Sequence, residues 1–175
     1  MDARVGTRSS PSRRPIAPTR GGDPRTPYVS RLVATPTGER VNTPVELYRL
    51  SRDMIERQQE QLRAILLDPG HRLLGVHLVY QGTIDGVAVR LADLFREAIR
   101  IGATTLALVH NHPTGRTDQP SAGALLLTAE AMRAGHLLGI AVVDHVIVGR
   151  GEPGYFSLLT LALADTGTLA PTTPS

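Results

Sequence analysis

Two histidines stand one residue apart in the run Val109-His110-Asn111-His112-Pro113, directly after the apolar stretch Leu106-Ala107-Leu108-Val109. Alternate side chains of an extended backbone point to one face, so both imidazoles can converge at the end of a strand. Neutral imidazole is the commonest protein ligand for a transition metal, and two of them supply half of a tetrahedral zinc shell. The chain has no cysteine. Disulfides, thiolate zinc sites and a cysteine nucleophile are therefore excluded, and any further metal donor must be His, Asp, Glu or water. Such a composition suits a cytoplasmic protein.

The elements that must position these rings can be read from patterning. Thr43-Pro44-Val45-Glu46 reads as a helix start, with Thr as N-cap, Pro at the first position and Glu three residues on; the helix is expected to run to about Gln59. Residues 62–67 and 72–80 read as strands joined in a hairpin by Asp68-Pro69-Gly70. After a loop at 81–86 and a short strand at 87–89, residues 91–101 form a helix closed by Gly102. Residues 104–109 form the strand that delivers the histidines, and 110–120 a polar loop. A long helix over 121–138 follows, with Ser121 as its N-cap, then a strand at 141–148 and a last short element over 155–163. Helices and strands in this mixture imply an α/β sandwich with a mixed sheet.

The 175 residues suffice for one domain with a hydrophobic core, and the formal charge of +3 is unevenly placed. Residues 1–27 hold six arginines and two aspartates, so the rest of the chain is slightly acidic. A domain without a basic surplus lacks the electrostatic footprint of a nucleic-acid binder, leaving only weak phosphate contact through the Arg-rich N-terminal segment. Residues 1–27 and 165–175 are rich in Arg, Pro, Ser, Thr and Gly, and are expected to be disordered tails around a domain at 28–164. No apolar stretch reaches the roughly 20 residues that span a bilayer. The N-terminus lacks the apolar core of a secretory signal.

Across residues 58–160 the chain resembles the RadC-like branch of the JAB/MPN (JAMM) metalloprotease-fold family. The resemblance rests on His110-Asn111-His112-Pro113-Thr114-Gly115, then Ser121, then Asp144-His145-Val146-Ile147-Val148-Gly149, with Gln81-Gly82-Thr83 and Phe95-Arg96-Glu97-Ala98 upstream. It implies a JAB/MPN-like α/β sandwich, its mixed sheet flanked by helices, and a zinc-dependent peptidase or isopeptidase acting on a peptide or protein substrate. His110 and His112 would be ligands to Zn2+. Glu60, eight residues before Asp68 as in the family, would be the base that takes a proton from the attacking water and passes it to the leaving amine. Ser121 would hydrogen-bond the developing oxyanion.

One position departs from the pattern. The family's third ligand is an Asp three residues after the serine, and here that residue is Ala124; Thr128, four residues on, fixes the register. A methyl group cannot bind zinc, and catalytic zinc normally keeps three protein ligands. Asp118 in the preceding loop and Asp144 on the next strand are the candidate substitutes. Only one of Asp144 and His145 can face the site, because neighbours on a strand point opposite ways. The pair can instead be structural, orienting the sheet or a ligand histidine. His71, His77 and His136 read as surface or packing residues. Two functions stay open: a JAMM-type hydrolase impaired at Ala124, or a metal-free, degenerate JAB/MPN domain serving as a binding or scaffolding module.

Overall fold

The computed structural model describes residues 28–34, 37–82, 89–117 and 120–159. Nine named elements make an α/β sandwich. They are β1 (Tyr28–Ala34), α1 (Pro44–Leu50), β2 (Gln61–Leu67), β3 (Leu73–Gln81), α2 (Leu91–Ile101), β4 (Thr105–Asn111), α3 (Ala122–Leu138), β5 (Ala141–Val148) and β6 (Tyr155–Ser157). The six strands form one sheet in the order β1-β3-β2-β4-β5-β6. Only β4 and β5 run parallel, joined across α3; every other neighbouring pair is antiparallel. This is the mixed sheet flanked by helices that the sequence implies.

The sheet is covered on both faces, which is why β2 and β4 are buried along their whole length. Period-two alternation still sorts their side chains. Leu62, Ala64, Leu66, Leu106 and Leu108 meet Leu94, Phe95 and Ala98 of α2 and Leu127 and Ala131 of α3. Ile65, Leu67, Ala107 and Val109 point the other way and meet Leu47 of α1 and Met54. The hairpin turn before β3 is closed by Asp68, whose Oδ1 accepts from the backbone N–H of Gly70 and of Arg72, both at 2.8 Å.

The first helix starts as expected. Thr43 caps it, and Glu46 Oε2 reaches back to the Thr43 N–H at 3.0 Å. It does not run to Gln59, however; it stops at Leu50 and tightens into a 3₁₀ turn over Arg52–Met54. Between Ile55 and Leu62 the chain carries only polar and charged residues, so a continuing helix would have had no apolar face to bury. Met54 is instead fully buried, and Asp53 is drawn to Arg63 of β2, with Nη1–Oδ1 and Nη2–Oδ2 both at 2.7 Å. Strand β1, absent from the sequence reading, pairs with β3 at the sheet edge through an irregular register. The expected strand at 87–89 and the two tails fall largely or wholly outside the described residues. No helix among those residues is long and apolar enough to cross a membrane.

Candidate metal centre

The antiparallel register between β2 and β4 builds the site. It pairs Leu62 with His110, which sets Glu60, one residue before β2, across from His112. Leu62 and His110 share a face of the pleat, and Glu60 and His112 stand two residues further along it. His110 is fully buried, whereas His112 and Glu60 are partly exposed. The two rings converge as their spacing predicts, with Nε2 to Nε2 at 3.0 Å. One donor atom each from Glu60, His110 and His112 lies within 4.8 Å of the others.

Neighbouring strands and α3 fix the tautomers. His112 Nδ1 faces the carbonyl oxygen of Arg116 at 2.9 Å and must donate to it. On the other side, Thr128 Oγ1 donates to the Ala124 carbonyl at 2.6 Å and therefore accepts from His145 Nδ1, also at 2.6 Å. His145 Nε2 is then left with a lone pair, which accepts from His110 Nδ1 at 2.7 Å. This assignment places a lone pair on both Nε2 atoms of the 3.0 Å contact. Four protons serve five contacts when all three rings are neutral.

Two facing lone pairs repel unless a positive centre joins them, either a proton or a metal cation. On His110 burial disfavours the proton. It holds the His110 imidazole well below its ordinary pKa, and nearby His145 and His112 add to the depression. His145 is lowered to about 3, chiefly by burial and then by His112. The donor set fits a divalent cation: two imidazoles whose Nδ1 atoms are committed to fixed acceptors and whose Nε2 atoms face each other, with a carboxylate beside them. Neighbouring corners of a tetrahedral zinc shell lie roughly 3.4 Å apart. A span of up to 4.8 Å suits a carboxylate standing one water back as well as one that binds directly.

Ser121 is the N-cap of α3, its Oγ accepting from the Ala124 N–H at 3.1 Å. Ala124 is fully buried, one turn before Thr128, and residues four apart share a helix face. Its methyl group therefore lies on the side of α3 that Thr128 turns to His145. Asp144 is not brought to the histidines. Both of its oxygens accept from Ser157 Oγ at 2.9 Å, and Oδ1 also accepts from the backbone N–H of His145 at 2.7 Å. Strand alternation gives the site His145 and turns Asp144 away. Asp118 lies outside the described residues.

Asn111 is a residue beside the candidate site that the sequence reading passed over. Its Oδ1 accepts from the Gln61 N–H at 2.8 Å and its Nδ2 donates to the Gln59 carbonyl at 3.3 Å. It thus clamps the backbone on both sides of Glu60. The signal was its place between the two histidines, where strand alternation points it away from them.

Comparison with known proteins shows the family to which the chain belongs. The chain is 40% identical over 106 residues to a UPF0758 protein of Chloroflexus aggregans, covering 61% of this chain and 45% of that one. It is 35% identical over 128 residues to a UPF0758 protein of Roseiflexus castenholzii, covering 71% and 54%. A UPF0758 protein of Thermotoga maritima is 37% identical over 119 residues, covering 68% and 52%. The chain thus spans about half the length of these curated relatives. A family model described as RadC-like JAB domain matches residues 41–163, from just before α1 to beyond β6 and across both histidines and Glu60, and by that match the chain belongs to the RadC-like JAB domain family.

Proposed function

We propose that the protein is a zinc-dependent hydrolase of amide or isopeptide bonds, of the JAMM metallopeptidase class, acting on a peptide or protein in the cytoplasm. The observation that supports this most is the convergence of Glu60 on two imidazoles whose Nε2 lone pairs face each other at 3.0 Å. His110 and His112 would hold the ion; when bound, zinc supplies Lewis acidity toward a carbonyl and toward water. Glu60 accepts the proton of the attacking water and delivers it to the leaving nitrogen. Tyr80 stands close enough for the Glu60 charge, after burial, to raise the phenol pKa, so the carboxylate works beside a neutral hydroxyl. Ser121, at the first turn of α3, donates its hydroxyl proton to the oxyanion while its Oγ caps the Ala124 N–H. Asn111 and His145 keep Glu60 and His110 in place. The working domain is residues 28–164, and the Arg-rich segment before it makes at most weak contact with nucleic acid.

A second reading is favoured by one observation, the buried methyl group of Ala124 where the family places a carboxylate. It makes the domain a metal-free binding or scaffolding module. Metal analysis and Glu60→Gln separate the readings. The purified full chain is expected to carry about one zinc. Glu60→Gln should keep that zinc and lose about 10²-fold or more of the hydrolysis of a fluorogenic peptide mixture, the range expected for removing a general base. Loss of zinc together with hydrolysis would make Glu60 a ligand. A wild-type chain that takes up no zinc would leave the module.

A further inference from the structure

Helix α3 is apolar nearly all the way round. Of its 17 residues only Glu130 and Arg133 carry a full charge. A helix of that character is ordinarily enclosed on every side. This one is enclosed on one side only: Ala124, Leu127, Ala131 and Gly135 are buried against the rest of the domain. Leu126 is 58% exposed and Leu137 85%, with Leu125 and Leu138 close to half exposed beside them. By contrast α2 carries Asp93, Arg96, Glu97 and Arg100 among its 11 residues.

The exposed residues form an ordered stripe. At about 100° per residue, Leu126, Glu130, Arg133 and Leu137 lie within about 60° of one another, on the side opposite Ala124, Ala131 and Gly135. The pairs Leu126/Leu137 and Glu130/Arg133 share one midpoint along the helix, between Ala131 and Met132. Leu125 and Leu138 share it too. A second α3 laid antiparallel across a two-fold axis at that midpoint sets each Leu126 against a Leu137 and each Glu130 against an Arg133. Such a self-complementary patch is what an isologous contact requires. Neither Glu130 nor Arg133 has an ion-pair partner among the described residues.

We propose that the outer face of α3 is the interface of a two-fold homodimer, and that its occupant is a second copy of this chain. The charge order selects that occupant, because a partner without an Arg and a Glu at matching positions leaves both charges facing apolar surface. The inner side of α3, which carries Thr128, still faces the histidines, so pairing leaves the metal centre open. The stripe between the outer leucines is only about 16 Å long. A contact of that length buries less than the roughly 1,200–2,000 Å² of a standard interface, so the dimer is weak and concentration-dependent.

Sedimentation velocity on the full chain from roughly 5 to 500 μM, at low salt where charge pairing is least screened, tests this. The wild type is expected to pass from monomer to dimer across that range. Glu130→Arg and Arg133→Glu should each weaken association at least tenfold, because each places like charges opposite one another. The double variant should return to within about threefold of the wild type. An equimolar mixture of the two single variants should form a heterodimer, which no misfolded protein would do. A wild type that stays monomeric at about 500 μM overturns the proposal. So does a dimer that ignores both single reversals, or a mixture and double variant that stay monomeric.

Discussion

His110 has both of its nitrogens committed by the surrounding fold. One gives its proton to His145, and the other is left bare toward His112. The resemblance to the family places a carboxylate where Ala124 stands, and its buried methyl group is on the side of α3 shared with Thr128. Ala124→Asp should therefore add a carboxylate to the pair and tighten zinc binding at least tenfold, read by competition with a chromogenic chelator. An unchanged affinity would mean that residue 124 does not face the ion. The histidine pair was legible from the sequence because residues two apart share a face of a strand, and Glu60 was named through the family resemblance, by its offset of eight residues from Asp68. The roles of Thr128 and Asn111 were not. Thr128 served only to mark the helix register, and its hydroxyl matters because β5 brings His145 beneath it. Asn111 acts through backbone 50 and 52 residues away, which no local pattern encodes.

At the scale of elements, the unit that matters is β4-α3-β5. Its parallel pairing sets Leu108 opposite His145 and so brings that ring against His110. The close fit of α3 on the return strand depends on Gly135, where a Cβ would collide with the carbonyl oxygen of Ile140 and press on Val142. Gly135→Ala should cost about 1–3 kcal/mol despite the higher helix propensity of alanine, measured as a lowered urea midpoint. A gain in stability would show that α3 can shift off the strand freely. Helices α2 and α3 were legible nearly to the residue, since Gly102 and Gly139 close them in the left-handed conformation, at φ 74° and 69°. Helix α1 was overextended in the sequence reading, because capping signals announce where a helix starts and only tertiary burial decides how far it runs. Strand β1 was missed for a related reason: it is a bulged edge strand defined by its pairing with β3.

The molecule as a whole carries two fully buried neutral imidazoles at its centre, His110 and His145. Folding depresses both, and burial lowers His145 to about 3 from its ordinary 6.5. Between those values the unfolded chain binds a proton that the folded chain refuses. Stability is therefore full above about pH 6.5 and falls as the solution is acidified toward pH 3, by up to about 1.4 kcal/mol per pH unit for His145 alone. Urea denaturation of the metal-free protein at pH 7.5, 6 and 5 should show that descent. A flat profile would place both rings in contact with water. The mixed sheet flanked by helices was legible in the alternation of elements, whereas this sensitivity to acid follows from His110 and His145 being turned inward.

The same burial gives the inner half of the proposed metal centre an unusual tolerance. In most histidine sites a cation must compete with hydrogen ions once the medium turns mildly acidic, and occupancy declines accordingly. The Nε2 atom of His110 meets no such rival there, because its ring stays uncharged far below neutrality. An arriving ion has nothing to evict from that nitrogen.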